Sequence, residues 1–304
     1  LGWKPEQGMI VIADEESELS RLLLSVYRTV VPEAKVIQFD AVKGEQILEE
    51  LNHASPKTLV VLIQSTNFRL NDFRIRIELF KRALWTVEYI HLARMTEAQF
   101  PIYLQALRYD KDYYRTLGPG LKILLDRATS VRVECPGTVL NYASSMEEAK
   151  LNIGDYREME NVGGTYPIGE VFTEPKELTA VNGQIKIFGF ADMNHHVHFY
   201  EPFVATITNG ILSVGEDAPA DFHATLDLIR ADEEVWVREL GLGLNRAMGR
   251  HALVNDVTAF ERQRGMHLSL GAKHGVYAKP GFARKRTRYH IDVFVDIARI
   301  LLDD

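Results

Sequence analysis

The chain has 304 residues, 46% of them hydrophobic, which is enough for two modest domains with real cores. Its formal net charge of −7 leaves no basic surplus to displace phosphate counterions and excludes a general nucleic-acid binder. The single cysteine, Cys135, excludes an intramolecular disulfide and fits a reducing, cytoplasmic compartment, and no apolar run or leader-like start suggests a membrane.

From Met9 onward, short β-branched runs alternate with helical patterns. MIVIA (9–13) reads as a strand and ELSRLLLSVYRTV (18–30) as a helix. KVIQF (35–39) is followed by GEQILEELNHA (44–54), and TLVVLIQ (58–64) by a charged amphipathic stretch ending at Arg82. TVEYIHL (86–92) precedes a long helical region through LKILLDRA (121–128), and SVRVEC (130–135) closes the series. Strand and helix in alternation predict an α/β domain over 1–137, a mostly parallel sheet of about five strands with helices on both faces. Neither GxGxxG after the first strand nor GxxxxGK[ST] occurs, so nothing supports a dinucleotide or P-loop reading.

After Gly137 the chain turns to short strands and turn signals: Gly163-Gly164, Pro167, Glu174-Pro175, Asn182-Gly183 and Asn209-Gly210. VNGQIKIFGF (181–190) and VATITNGILSV (204–214) read as hairpin elements around Asn-Gly turns. Residues 138–304 are therefore expected to form a mostly β (α+β) domain. One helical insertion near 219–230 places Phe222, Leu226 and Ile229 at a spacing that faces a core.

The chemistry-bearing residues lie in this second half. His267 in MHLSLG is followed by His290 and Asp292 in YHID. Two imidazoles and a carboxylate are a complete ligand set for a divalent metal, and residues two apart on a strand point to the same side. Glu170 in YPIGEVFTEP and Glu239 in RELGLGLN sit beside glycine in apolar or turn-forming runs, where an unpaired charge is expensive to hide. The glycines of GLGLN let backbone approach the site closely. In MNHHVHFY, His196 and His198 share a strand face while His195 points oppositely. An imidazole titrates near 6.5, which suits His198 to acid–base work on a substrate wall. ARKRTR (283–288) reads as a solvated loop, placed before His290 where it can also hold a substrate carboxylate. His53, His91, Cys135 and the tyrosines at 109, 113 and 114 are read as structural.

Taken in order, P-x-GEVFT-x-P, ELGLGLN, H-x-x-LG and H-x-D resemble the metallo-aminopeptidase family of aminopeptidase T and its shorter relatives, which include 2,5-dihydroxypyridine 5,6-dioxygenase. The resemblance covers about residues 163–295. For the aminopeptidases it implies two metal ions (Zn, Co or Mn) held by Glu170, Glu239, His267, His290 and Asp292, with Glu170 or Glu239 able to shuttle a proton. The position of that family's catalytic tyrosine carries His274 here, and the nearest tyrosine is Tyr277. For the dioxygenase branch it implies one Fe(II) on His267, His290 and Asp292, with the two glutamates orienting groups around it. Total length favours that shorter branch. A C2 homodimer and a peptide or small-molecule substrate are expected on the same ground. The leading expectation is a metal-dependent hydrolase acting on a peptide or amino-acid amide, and the alternative is an Fe(II) ring-cleaving dioxygenase. A non-catalytic peptide binder stands third, motivated by His274.

Overall fold

The chain is described here in a computed structural model covering residues 1–70, 74–272, 275–277 and 287–303. Two compact units divide it: Leu1–Tyr109 with Gly154–Ile168, and Asp110–Ile153 with Gly169–Asp304. No helix among the described residues is long and apolar enough to cross a membrane.

The first unit is the alternating α/β layer expected from periodicity. Along the chain come β1 (Met9–Ala13), α1 (Glu18–Val30), β2 (Lys35–Gln38), α2 (Gly44–His53), β3 (Leu59–Ile63), α3 (Ile75–Lys81), β4 (Trp85–Tyr89) and α4 (Phe100–Ala106). Helix α1 starts where Ser17 caps it, its side chain accepting from the Ser20 backbone N–H, which satisfies one of the four donors a helix start leaves open. Every residue of β3 is buried, as a strand covered on both faces requires.

The chain then passes into the second unit through α5 (Lys111–Arg127), β5 (Val131–Cys135), β6 (Thr138–Tyr142) and β7 (Lys150–Asn152), and returns for β8 (Gly163–Tyr166). The parallel sheet runs β2-β1-β3-β4-β8. Five strands were expected, but the fifth is β8. SVRVEC instead forms β5, which pairs antiparallel with β6 in the second unit. Its alternating buried and half-buried residues mark a strand with one covered face, whereas a central parallel strand is covered on both. The Gly163-Gly164 pair, read as a turn, lies within β8 because β4 comes too close for a side chain: a Cβ on Gly163 would stand 2.0 Å from Thr86 O.

The second unit adds β9 (Glu170–Thr173), β10 (Val181–Ala191), β11 (Val197–Thr208), β12 (Ile211–Val214), α6 (Ala220–Arg230), β13 (Val237–Gly243), α7 (Val257–Phe260), β14 (Gly265–Gly271), β15 (His290–Val295) and β16 (Arg299–Leu302). Its sheet runs β16-β5-β6-β10-β15-β14-β13-β9-β7, with β11 and β12 branching from β10. Asn209-Gly210 makes the expected two-residue turn between β11 and β12, both residues at positive φ (49° and 80°), the signature of a type I′ hairpin. Asn182-Gly183 makes none. Those residues lie inside β10, with Gly183 paired to Leu140 on one side and Ile207 on the other, so the second Asn-Gly signal is overridden by pairing on both edges. Helix α6 buries Phe222, Leu226 and Ile229 completely, as its spacing predicts. They join Leu240, Met266, Leu268, Leu270, Ile291, Val293 and Val295 in one apolar core.

Candidate metal centre

Strands β13, β14 and β15 carry the site on the face opposite that core. In the β14–β15 ladder His267 pairs with Phe294, Ser269 with Asp292 and Gly271 with His290. Across β13, Gly241 pairs with His267, and Gly243 pairs in turn with Glu170 on β9. Since side chains alternate with period two, Glu170, His267, Ser269, His290 and Asp292 share one face, while Met266, Leu268 and Leu270 with Ile291, Val293 and Val295 fill the other. Glu239 joins them through an irregularity between Val237 and Leu240, where its backbone N–H donates to Ser269 Oγ at 3.1 Å. All five expected ligands therefore come from neighbouring strands. Four are nearly sealed: His267 is 0% exposed, Glu170 4%, Glu239 5% and Asp292 6%.

Two groups of donor atoms result. His267 Nε2 lies 3.3 Å from Glu170 Oε1 and 3.3 Å from Glu239 Oε1. His290 Nε2 lies 3.3 Å from Asp292 Oδ1, and its Nδ1–H can donate to the Ala272 carbonyl 3.2 Å away. That backbone contact fixes the ring's orientation in the way metal-binding imidazoles are commonly fixed. Donor atoms sharing one ion at bonds of about 2.1 Å stand roughly 3 Å apart, and the His267–Glu170, His267–Glu239 and His290–Asp292 contacts each have that spacing. Asp292 Oδ1 and His267 Nδ1 are buried with no hydrogen-bond partner among the described residues. His290 Nε2, 3.3 Å from that carboxylate oxygen, sets a positive charge beside it when protonated, and a bound cation would serve the same buried charge.

Charge among these side chains is balanced by protons. Burial alone would lower the His267 pKa, but hydrogen bonds to Glu170 and Glu239 overcome it and push it up to about 10. His290 is likewise depressed by burial and raised by Asp292, with a net rise to about 9. Burial raises Glu170, and Arg262 with His267 more than reverse that, leaving it lowered. Asp292 is lowered too, burial being outweighed by His290 and His267.

Two glycines of ELGLGLN make the approach possible. A Cβ on Gly241 would stand 2.1 Å from the His267 ring, and one on Gly243 would stand 1.9 Å from Gln263 O and 2.7 Å from the Arg262 carbonyl carbon. The first admits the imidazole. The second admits the backbone just after α7, which carries Glu261 and Arg262. Sequence reading missed both residues. Glu170, Glu261 and His267 offer donor atoms all within 4.8 Å of one another, and Arg262 Nη1 lies 3.6 Å from Glu170 Oε2 and against Glu261 Oε1. FERQRG reads as a charged surface turn, and only pairing of β13 with β9 folds it over Glu170.

The architecture is shared with a dioxygenase. The solved structure of 2,5-dihydroxypyridine dioxygenase from Pseudomonas putida KT2440 is similar to this chain over 98% of its length and 89% of the other, with a TM-score of 0.62 and 17% identity. No family model and no curated protein matches the sequence. At this identity the likeness is one of fold, and it covers both units.

Other candidates fall outside the cluster. His198 pairs with Phe190, which pairs in turn with Val293 of the apolar face. It sits 2.9 Å from Asp192, 39% exposed, with the His196 ring centroid 5.4 Å away. The shared face of His196 and His198 is as expected, but it is the face turned away from His267. His195 instead lines a pocket of about 410 Å³ beside His290, together with Asp192, Met193, Leu228, Arg288 and Tyr289. Arg288 of ARKRTR is among the residues that line this pocket. Residues 283–286 and His274 lie outside the described residues. Tyr277 is buried and donates toward the Glu148 and Phe172 carbonyls at 3.1 and 3.3 Å. The Cys135 thiol is pushed up by burial, a structural setting. Tyr113 donates to Leu244 O at 3.0 Å, with Arg246 over its ring.

Proposed function

We propose that the chain is a metal-dependent enzyme that binds one Fe(II) through His267, His290 and Asp292 and opens the ring of a dihydroxylated heteroaromatic with dioxygen. The observation that carries it is the buried Asp292 carboxylate, 3.3 Å from His290 Nε2 through Oδ1 and on the same sheet face as His267. The fold likeness to a 2,5-dihydroxypyridine dioxygenase supports the reaction class. When bound in such a set, iron supplies open positions for a chelating substrate and for dioxygen.

The chain's own residues do the rest. Ala272 O holds the His290 ring, and Ser269 Oγ holds the Glu239 backbone, so both side chains enter at fixed angles. Glu170, kept ionised beside Arg262, is a poor proton acceptor. Glu239 Oε1 takes the proton a substrate hydroxyl releases on binding. The pocket beside His290 has room for a single substituted ring, with Tyr289 and Leu228 on its walls and His195 and Arg288 as polar groups.

Anaerobic loading with Fe(II) followed by a dihydroxypyridine should give oxygen uptake matched one to one by loss of ring absorbance. His290→Ala should abolish it while the first unit keeps its helical signal. Full activity in that variant is incompatible with the proposal. A metal-dependent hydrolase is the second reading, favoured by the three acidic groups around His267. Release of an amine from aminoacyl amides with Zn, Co or Mn, and no oxygen uptake with Fe(II), would select it.

A further inference from the structure

We infer that the pocket beside His290 selects an anionic ring: Arg288 holds a carboxylate on the substrate, which is therefore a dihydroxylated heteroaromatic acid. The inference rests on the proposed function and deepens it, by naming the charged substituent the ring carries. Arg288 is the permanent cation among the residues lining the pocket. Its side chain folds over its neighbour, with the guanidinium carbon 5.1 Å from the Tyr289 ring centroid and Nη2 donating to Tyr289 Oη at 3.0 Å. Stacking on that ring fixes the plane of the fork. A guanidinium has five N–H donors, and this one contact leaves the others without an acceptor among the described residues. The acid that acts on it, Asp232, does so only through space, and no carboxylate pairs with it among the described residues.

The rest of the pocket points the same way. Its own acid, Asp192, is already engaged: the carboxylate accepts from the backbone N–H groups of Asn194 and His196 at 2.8 and 3.0 Å and meets His198 Nε2 at 2.9 Å. An incoming carboxylate thus finds an open fork, and a planar fork is the geometry that takes both carboxylate oxygens at once. Tyr289, Leu228 and Met193 supply apolar surface for the faces of a ring. Tyr289 O accepts from Ala272 N at 2.7 Å, which ties the approach to β15 onto the sheet. Arg288 and His290 are two residues apart, at most about 7 Å of chain. One substituted ring bridges that span, its carboxylate at Arg288 and its opposite edge toward His290.

Binding without turnover is the first test. The full chain, stripped with chelator so that no metal can take the probe, is titrated calorimetrically with pyridine-3-carboxylate and with pyridine-3-carboxamide. The carboxylate should bind at least tenfold more tightly; Arg288→Gln should erase that preference and Arg288→Lys keep part of it. Equal affinity for the two probes, binding of neither, or a preference that survives Arg288→Gln overturns the inference. Arg288 is exposed, so its replacement leaves the core intact, and the wild-type comparison stands without any variant. Turnover with Fe(II) and oxygen separates this failure from that of the reading beneath it. A dihydroxypyridine carboxylate should show kcat/KM about 10- to 100-fold above plain dihydroxypyridine, mostly through KM, and the ratio should collapse in Arg288→Gln. Equal kcat/KM on the two rings overturns the inference and leaves the proposed function standing. Oxygen uptake with neither ring overturns both.

Discussion

At the residue scale, Gly241 is constrained by a candidate ligand itself. A methyl group there meets the His267 ring at 2.1 Å, and the ring has apolar and acidic neighbours on every side. Gly241→Ala is expected to cost about 1–3 kcal/mol in apo stability by overpacking, read from denaturant midpoints, and to weaken metal affinity at least tenfold by turning the imidazole. Unchanged metal affinity would mean that His267 is not a ligand. The two imidazoles also set a pH signature. Their pKa values are raised in the folded, metal-free protein, so their contribution is complete below the unfolded value near 6.5. It is lost as pH rises through about 9 for His290 and about 10 for His267. Glu170 and Asp292, being lowered, contribute above the ordinary carboxylate range and lose that contribution as pH falls below it. Apo melting temperature should thus fall off on both sides of neutrality. Metal must displace both imidazolium protons, so near pH 7 binding should release about two protons, and affinity should tighten about 100-fold per pH unit. Calorimetry in buffers of different ionisation enthalpy counts them, and zero protons released would contradict the histidine assignments.

At the scale of elements, what could be read in advance was what local periodicity determines. Helix α6 is an example: Phe222, Leu226 and Ile229 sit at helical spacing and are fully buried. Phe222→Ala should therefore cost about 3–5 kcal/mol of unfolding free energy, measured by chemical denaturation, while a loss under 1 kcal/mol would mean the helix docks elsewhere. The strands β1 to β4 and the helices between them were equally plain. What stayed hidden depends on partners distant in the chain. Whether Val131–Cys135 joins a parallel or an antiparallel sheet is decided by Thr138–Tyr142 and Arg299–Leu302, which pair with it. Asn182-Gly183 has the composition of a turn and becomes strand because two neighbours claim its edges. The site followed the same division. His267, His290, Asp292, Glu170 and Glu239 stand in short local patterns, whereas Glu261 and Arg262 enter only through the pairing of β13 with β9. His198, placed by its HxH spacing, ends on the wrong face because the facing of β11 is set by pairing with β10.

For the whole molecule, the binding ion should act as a stabiliser of the second unit, whose strands converge on it. At a free metal concentration about 100 times Kd, linkage adds roughly 2.7 kcal/mol to unfolding, and chelator should remove it. Differential scanning calorimetry with and without chelator reads this directly, and an identical trace in both would argue that no ion is bound. The two-faced ladder of β14 and β15 has a further consequence. Because apolar residues alternate with His267 and Ser269 on β14 and with His290 and Asp292 on β15, a one-residue insertion or deletion would exchange the faces, turning Asp292 into the apolar layer from β15 or leucines onto the site face from β14. A change of length within Gly265–Gly271 or His290–Val295 would thus forfeit fold and chemistry together.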